Sequence, residues 1–208
     1  MKRFNEIIVL AGGRGCGKTT YVKGNKAERF PAKLFSQYAK HPTIKKKLIV
    51  DTFDSPVWRE FPEMPKYKNS NAYDPWYFLN WKKGTYRMFD GRTDRINMLI
   101  SKYLYNALVV YEDATKTVGT RLTKDMRYFL LDSKQQNLDI VLIFHSISAI
   151  PLELGRMPFD RLILFKTGEK WDKCKDRITD PQGKVEKAFF KLNKSNNRFD
   201  NRVVDLRI

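Results

Sequence analysis

Between Ala11 and Tyr21 the chain reads Gly12-Gly13-Arg14-Gly15-Cys16-Gly17-Lys18-Thr19-Thr20, and no other segment restricts its fold as strongly. The β-rich apolar run Ile7-Ile8-Val9-Leu10 comes immediately before it, and Lys18 to Lys26 has the composition to begin a helix. A strand, a glycine loop and a helix in this order turn the backbone tightly enough to aim successive N–H groups at one phosphate, because glycine accepts dihedrals that side chains forbid. Lys18 then supplies a point charge for β- and γ-phosphates, and the Thr19 hydroxyl can ligate Mg²⁺. The expected nucleotide-holding set is therefore Gly12, Gly13, Arg14, Gly15, Cys16, Gly17, Lys18, Thr19 and Thr20, with ATP and Mg²⁺ as cofactors. Cys16, at a helix start beside Lys18, is expected to be a reactive thiol that nucleotide shields from alkylation.

Further apolar runs follow. Leu48-Ile49-Val50 ends at Asp51, Leu108-Val109-Val110-Tyr111 ends at Glu112-Asp113, Ile140 to Phe144 ends at His145-Ser146, and Arg161 to Phe165 is another. Tyr86 to Phe89 forms a shorter candidate strand, and helical patterns run from Arg95 to Tyr105 and from Lys124 to Gln136. Continuous apolar strands alternating with helices predict an α/β fold, a mainly parallel sheet flanked by helices with ligands at the strands' carboxyl ends. Ser55 to Gly84, carrying Pro56, Pro62, Pro65 and Pro75 among Trp58, Trp76 and Trp81, reads as an irregular aromatic-packed insertion. Trp58, Trp76, Tyr77 and Trp81 either stack on bases or pack the insertion down. From about residue 168 a basic extension follows, with Lys170 to Ile178 helical and Val185–Leu192 pairing with Arg202–Ile208 as a terminal hairpin. The length suits a single domain spanning 1–208.

The carboxylates at Glu112 and Asp113 suit a division of labour in which Glu112 holds the metal and Asp113 polarises the attacking water. The order is the reverse of the usual Asp-Glu. His145 and Ser146, at the next strand end, are candidates to sense the γ-phosphate. A positive charge from a neighbouring subunit commonly stabilises the transferring phosphoryl group, and Arg121, Arg127, Arg156 and Arg161 are candidates, with Arg156 preferred.

Forty Lys and Arg against 23 Asp and Glu give a net charge of +17, spread along the chain except for Lys45-Lys46-Lys47. That balance points to an anionic partner, nucleic acid or an acidic membrane surface. No stretch approaches the roughly 20 apolar residues of a membrane span. The two cysteines, one inside the phosphate loop, suit a reduced, cytoplasmic protein.

Ala11 to Thr20, Leu108 to Ala114 and Leu138 to Pro151 together resemble the FtsK-HerA superfamily, in particular viral genome-packaging ATPases and the zonula-occludens-toxin-like proteins of filamentous phages. There, a phosphate loop, an acidic pair followed by Ala (here Glu112-Asp113-Ala114) and a strand beginning Leu138-Asp139-Ile140 and ending in a polar sensor occur in this order. The usual Thr-Gln of the sensor is replaced by His145-Ser146. The resemblance implies an additional-strand, RecA-like P-loop NTPase that moves double-stranded DNA as a ring of five or six subunits. It also implies capsid or portal-vertex proteins as partners and a place in the host cytoplasm or virion. An assembly or export ATPase of the zonula-occludens-toxin type and a small-molecule P-loop kinase are the competing readings.

Overall fold

The computed structural model describes residues 5–24, 33–89, 93–119, 121–157, 159–180 and 182–207. Among the described residues, seven strands make one sheet in the order β3-β2-β4-β5-β1-β6-β7. They are β1 (Ile7–Ala11), β2 (Lys46–Asp51), β3 (Gly84–Phe89), β4 (Ala107–Tyr111), β5 (Leu138–Phe144), β6 (Arg161–Phe165) and β7 (Asn201–Asp205). The first six are parallel, and β7 closes the edge antiparallel to β6. As predicted, this is a mainly parallel α/β sheet, and β5 stands between the glycine-loop strand β1 and the acidic-pair strand β4.

The apolar runs are continuous because both sheet faces are covered. Ile7, Val9 and Ala11 of β1 join one core layer and Ile8 and Leu10 the other. The second layer is roofed by α1 (Lys18–Lys23) and α2 (Lys33–Ala39) through Tyr21, Val22, Leu34, Phe35 and Tyr38. The first carries α3 (Pro75–Asn80), α4 (Thr93–Tyr103), α5 (Ala114–Val118), α6 (Lys124–Asp132), α7 (Leu152–Arg156), α8 (Trp171–Cys174) and α9 (Lys184–Asn193), with Phe78, Ile96, Ile100, Val118, Phe129, Leu154 and Phe189 among its buried residues. The helix expected from Lys18 to Lys26 is described as far as Lys23; residues 25 and 26 lie outside the described residues.

Below β5, Asp139 fastens the start of β1. Its fully buried carboxylate accepts from the Asn5 and Glu6 N–H groups at 2.7 Å and from the Tyr38 hydroxyl at 2.5 Å. Burial pushes this carboxyl up to about 6, against the pull of Tyr38.

The hairpin expected near the end does not form. Val185 to Leu192 lies within helix α9, because Val185, Phe189 and Leu192 recur at helical spacing and bury one stripe. Arg202 sits on β7, which pairs with β6; Ile208 lies outside the described residues. Between Ser55 and Gly84 the chain is largely irregular but includes a 3₁₀ turn at Pro56–Trp58 and helix α3, which Asp74 caps by accepting from the Trp76 N–H. Trp58, Met64, Tyr73, Phe78 and Trp81 are buried there, which removes Trp58 and Trp81 as stacking surfaces and leaves Trp76 and Tyr77 exposed.

Candidate functional site

The chain leaves β1 at the sheet's carboxyl edge and turns at once against the end of β6. A Cβ on Gly12 would lie 2.7 Å from Phe165 Cβ and 2.9 Å from the Phe165 carbonyl oxygen, so only glycine passes here. The Gly13 N–H donates to the Lys166 carbonyl at 2.9 Å, and Gly15 and Gly17 adopt left-handed backbone with φ of 67° and 89°. Inside the turn, the Lys18 ammonium donates to the Gly12 and Gly13 carbonyls at 2.7 and 2.6 Å. Burial pulls the Lys18 pKa down, and Cys16, Glu112 and Asp113 oppose that shift. Cys16 corrects the expectation of a reactive thiol: it is buried, and its Sγ donates to the Gly13 carbonyl at 2.8 Å, closing the loop from within. Arg14 is exposed at the loop's tip, and Thr19 and Thr20 are half-buried in the first turn of α1.

Two strands away, β4 delivers the acidic pair. The Glu112 N–H donates to the Val50 carbonyl at 3.0 Å, extending the ladder one residue past the strand and fixing the side chain's direction. Thr19 Oγ1 lies 3.5 Å from Glu112 Oε1. Burial first, then the charges of Asp51 and Asp113, push the Glu112 carboxyl up to about 7, while Trp58 and Lys18 pull it down. Trp58 Nε1 and Glu112 Oε2 are both buried, and neither makes a hydrogen bond of normal geometry. Asp113 takes left-handed backbone (φ 51°) at the start of α5 and places Oδ1 3.9 Å from His145 Nε2. His145 is pulled down by burial and by Lys18 and Arg14, against Asp113, and its Nδ1 is buried without a partner.

A hydroxyl and a carboxylate with one buried, unsatisfied oxygen fit Mg²⁺, which takes one or two protein oxygens and completes its shell with phosphate and water. No cluster of three or more His, Cys, Asp and Glu able to cage a metal is present among the described residues. Thr19 and Glu112 are the residues that would hold the ion.

After β5, Ser146 Oγ accepts from the Ala149 N–H at 3.1 Å and lies 3.2 Å from Ser148 Oγ. Glu169 holds this loop by accepting from the Ile147 and Ser148 N–H groups at 2.7 and 2.9 Å. Lys18, Thr19, Glu112, Asp113 and His145 thus converge, with Ser146 adjacent. Arg156 does not join them: it is exposed at the end of α7, beside a cavity lined also by Lys134, Asp160, Asp180 and Arg207 where β6 begins. Arg161 is engaged in an ion pair with Glu6.

Two residues at the site were given no role from the sequence. Asp51, buried at the end of β2, accepts from the Phe53 and Ser55 N–H groups at 3.1 and 2.8 Å and lies 3.6 Å from Arg87 Nη1. Its signal, a carboxylate closing an apolar run, was the same as that of Glu112. Arg198 reaches the glycine loop from the segment between α9 and β7, with no signal in the sequence; it donates to the Gly15 carbonyl at 2.7 Å through Nη2.

No protein-family model matches the sequence, and no curated protein matches it. Among solved structures, the genome packaging NTPase B204 of Sulfolobus turreted icosahedral virus 2, in complex with AMP, superposes with a TM-score of 0.68 at 13% identity, over 99% of this chain and 94% of that one. The sulfate complex of the same protein gives 0.67 at 15% identity, over 100% and 94%. EssC (ATPases 2 and 3) of Geobacillus thermodenitrificans gives 0.52 at 11% identity, over 97% of this chain and 38% of that one. These likenesses agree with the resemblance carried by the motifs. At such identities what is shared is the architecture, and the chain has the fold of the P-loop NTPases.

Proposed function

We propose that this chain is a Mg²⁺-dependent ATPase that uses hydrolysis to move double-stranded DNA, serving viral genome packaging as a ring of subunits. The observation that carries the reading is the meeting of Lys18, Thr19, Glu112 and Asp113 at one carboxyl edge. Lys18, buried and already donating two hydrogen bonds to its own loop, is held where an incoming phosphate oxygen can replace those carbonyls. When bound, Mg²⁺ would neutralise charge on the terminal phosphates. Asp113 orients the attacking water, with His145 Nε2 3.9 Å from that carboxylate. Most of the catalytic effect in phosphoryl transfer is positioning and charge stabilisation, and a rigid edge fixed by parallel strands provides the positioning.

Movement of DNA is supported by the net charge of +17, which suits a phosphate backbone and predicts salt-sensitive binding. The full-length likeness to a protein described as a genome packaging NTPase adds to it.

The test is ATP hydrolysis by the purified protein at moderate salt, with and without double-stranded DNA, using Lys18→Ala as the blank. The reading expects DNA to stimulate turnover strongly and turnover per subunit to rise with protein concentration as rings assemble. A rate indifferent to both would refute the translocase and favour an export ATPase or a kinase.

A further inference from the structure

The segment between α9 and β7 is built onto the phosphate loop. Lys166, the residue that follows β6, connects the two: its carbonyl accepts from the Gly13 N–H at 2.9 Å, and its ammonium donates to the Ser195 carbonyl at 2.6 Å. A tight turn follows, in which the Asn197 side chain accepts from the Phe199 N–H at 2.9 Å and the Asn197 carbonyl from the Asp200 N–H at 3.1 Å. This turn sets two side chains on the loop's outer face. Arg198 grips the Gly15 carbonyl through Nη2 and Nε at 2.7 and 3.3 Å. Phe199 comes so close to Gly17 that a Cβ there would lie 3.2 Å from its Cδ1, and a Cβ on Gly15 would lie 2.7 Å from Arg198 Nη2. The guanidinium carbon sits 5.1 Å from the Phe199 ring centre, and the ring is 46% exposed.

We propose that Phe199 is the stacking platform for the nucleobase, and that Arg198 is a positioning residue that fixes the platform to the loop. The inference rests on the nucleotide reading above. With the terminal phosphates at Lys18 and Thr19, the glycine loop holds the α- and β-phosphates, and Arg198 and Phe199 are side chains that lie against that same loop, at Gly15 and Gly17. An aromatic face stacks on any base, and the Arg198 guanidinium lies over the Phe199 ring in a cation–π arrangement that holds the platform in place. The site therefore takes a nucleoside triphosphate, with an affinity contribution that a bare polyphosphate cannot claim.

Calorimetric titration with a non-hydrolysable ATP analogue and with inorganic triphosphate, both with Mg²⁺, separates the possibilities. Phe199→Ala is expected to weaken the analogue roughly 5- to 100-fold and leave triphosphate unchanged, with Phe199→Trp restoring the analogue. Unchanged binding of both, or equal weakening of both, would overturn the platform, the second outcome meaning that Phe199 only shapes the loop. Lys18→Ala is the independent control. Loss of both ligands upholds the phosphate loop whatever Phe199 does, and retention of both would remove the nucleotide reading and this inference with it. Circular dichroism and the melting temperature of each variant confirm that it folds.

Discussion

Glu112 links the acidic pair to a measurable pH dependence. Its carboxyl is raised from the ordinary 4.5 to about 7, so the ionised form carries a cost of about 3 kcal/mol at this site. Because the folded value lies above the unfolded one, the associated stability is fully present below about 4.5 and is lost as pH rises through 7. Binding of metal with nucleotide requires the opposite form, the carboxylate. About one tenth of Glu112 is ionised at pH 6 and about nine tenths at pH 8. At saturating Mg²⁺ the affinity for a non-hydrolysable ATP analogue is therefore expected to rise roughly tenfold across that interval and then level off. In EDTA the sign reverses, since an ionised Glu112 without a metal repels phosphate. Glu112→Gln removes the titrating group, and subtracting its profile from that of the wild type cancels the nucleotide's own protonation and the titration of His145. Calorimetry at half-unit pH steps gives the curves. Parallel profiles for wild type and Glu112→Gln would refute the assignment of Glu112 to the metal.

Gly12→Ala forces a methyl to within 2.7 Å of Phe165 Cβ. It is expected to cost about 1–3 kcal/mol in a denaturant titration and to weaken nucleotide binding as the loop leaves β6; unchanged stability and affinity would contradict the clamp. Asp139→Ala strips two backbone N–H groups and the Tyr38 hydroxyl of their acceptor and is expected to cost about 3 kcal/mol, read from the urea midpoint. Since the Asp139 carboxyl is raised to about 6, its share of wild-type stability grows as pH falls from 7 to 5, a trend that Asp139→Asn should lack.

Strands buried on both faces were the most legible part of the sequence. Leu108–Tyr111 and Ile140–Phe144 are unbroken apolar runs because helices cover both sides, and each delivers its polar residues to the same edge. The phosphate loop was legible because a strand, glycines and a helix leave few alternatives. Val185–Leu192 was misread because its aromatic and β-branched residues have strand propensity, while their spacing of four and three obeys the helix. The inward turn of Cys16 depends on the loop's dihedrals, which composition does not reveal. The Arg198–Gly15 contact joins residues 183 positions apart and exists only because β7 returns beside β6.

The order of the strands explains why these groups can act together. Neighbouring strands lie about 4.8 Å apart, so with β5 between them the ends of β1 and β4 are separated by roughly twice that. Side chains from the two ends would not meet directly across such a gap. The helix after β1 solves this: it roofs the layer that also holds Leu108 and Val110 of β4, and so carries Thr19 to 3.5 Å from Glu112. The intervening strand is then free to bring His145 to 3.9 Å from Asp113. An extra strand therefore makes room between the phosphate loop and the acidic pair for the side chain of His145. In the simpler order, with β4 beside β1, His145 would have no position between them. On the other side of β1, where β6 and β7 lie, one turn of chain held by Lys166 reaches the phosphate loop from the edge opposite to the acidic pair.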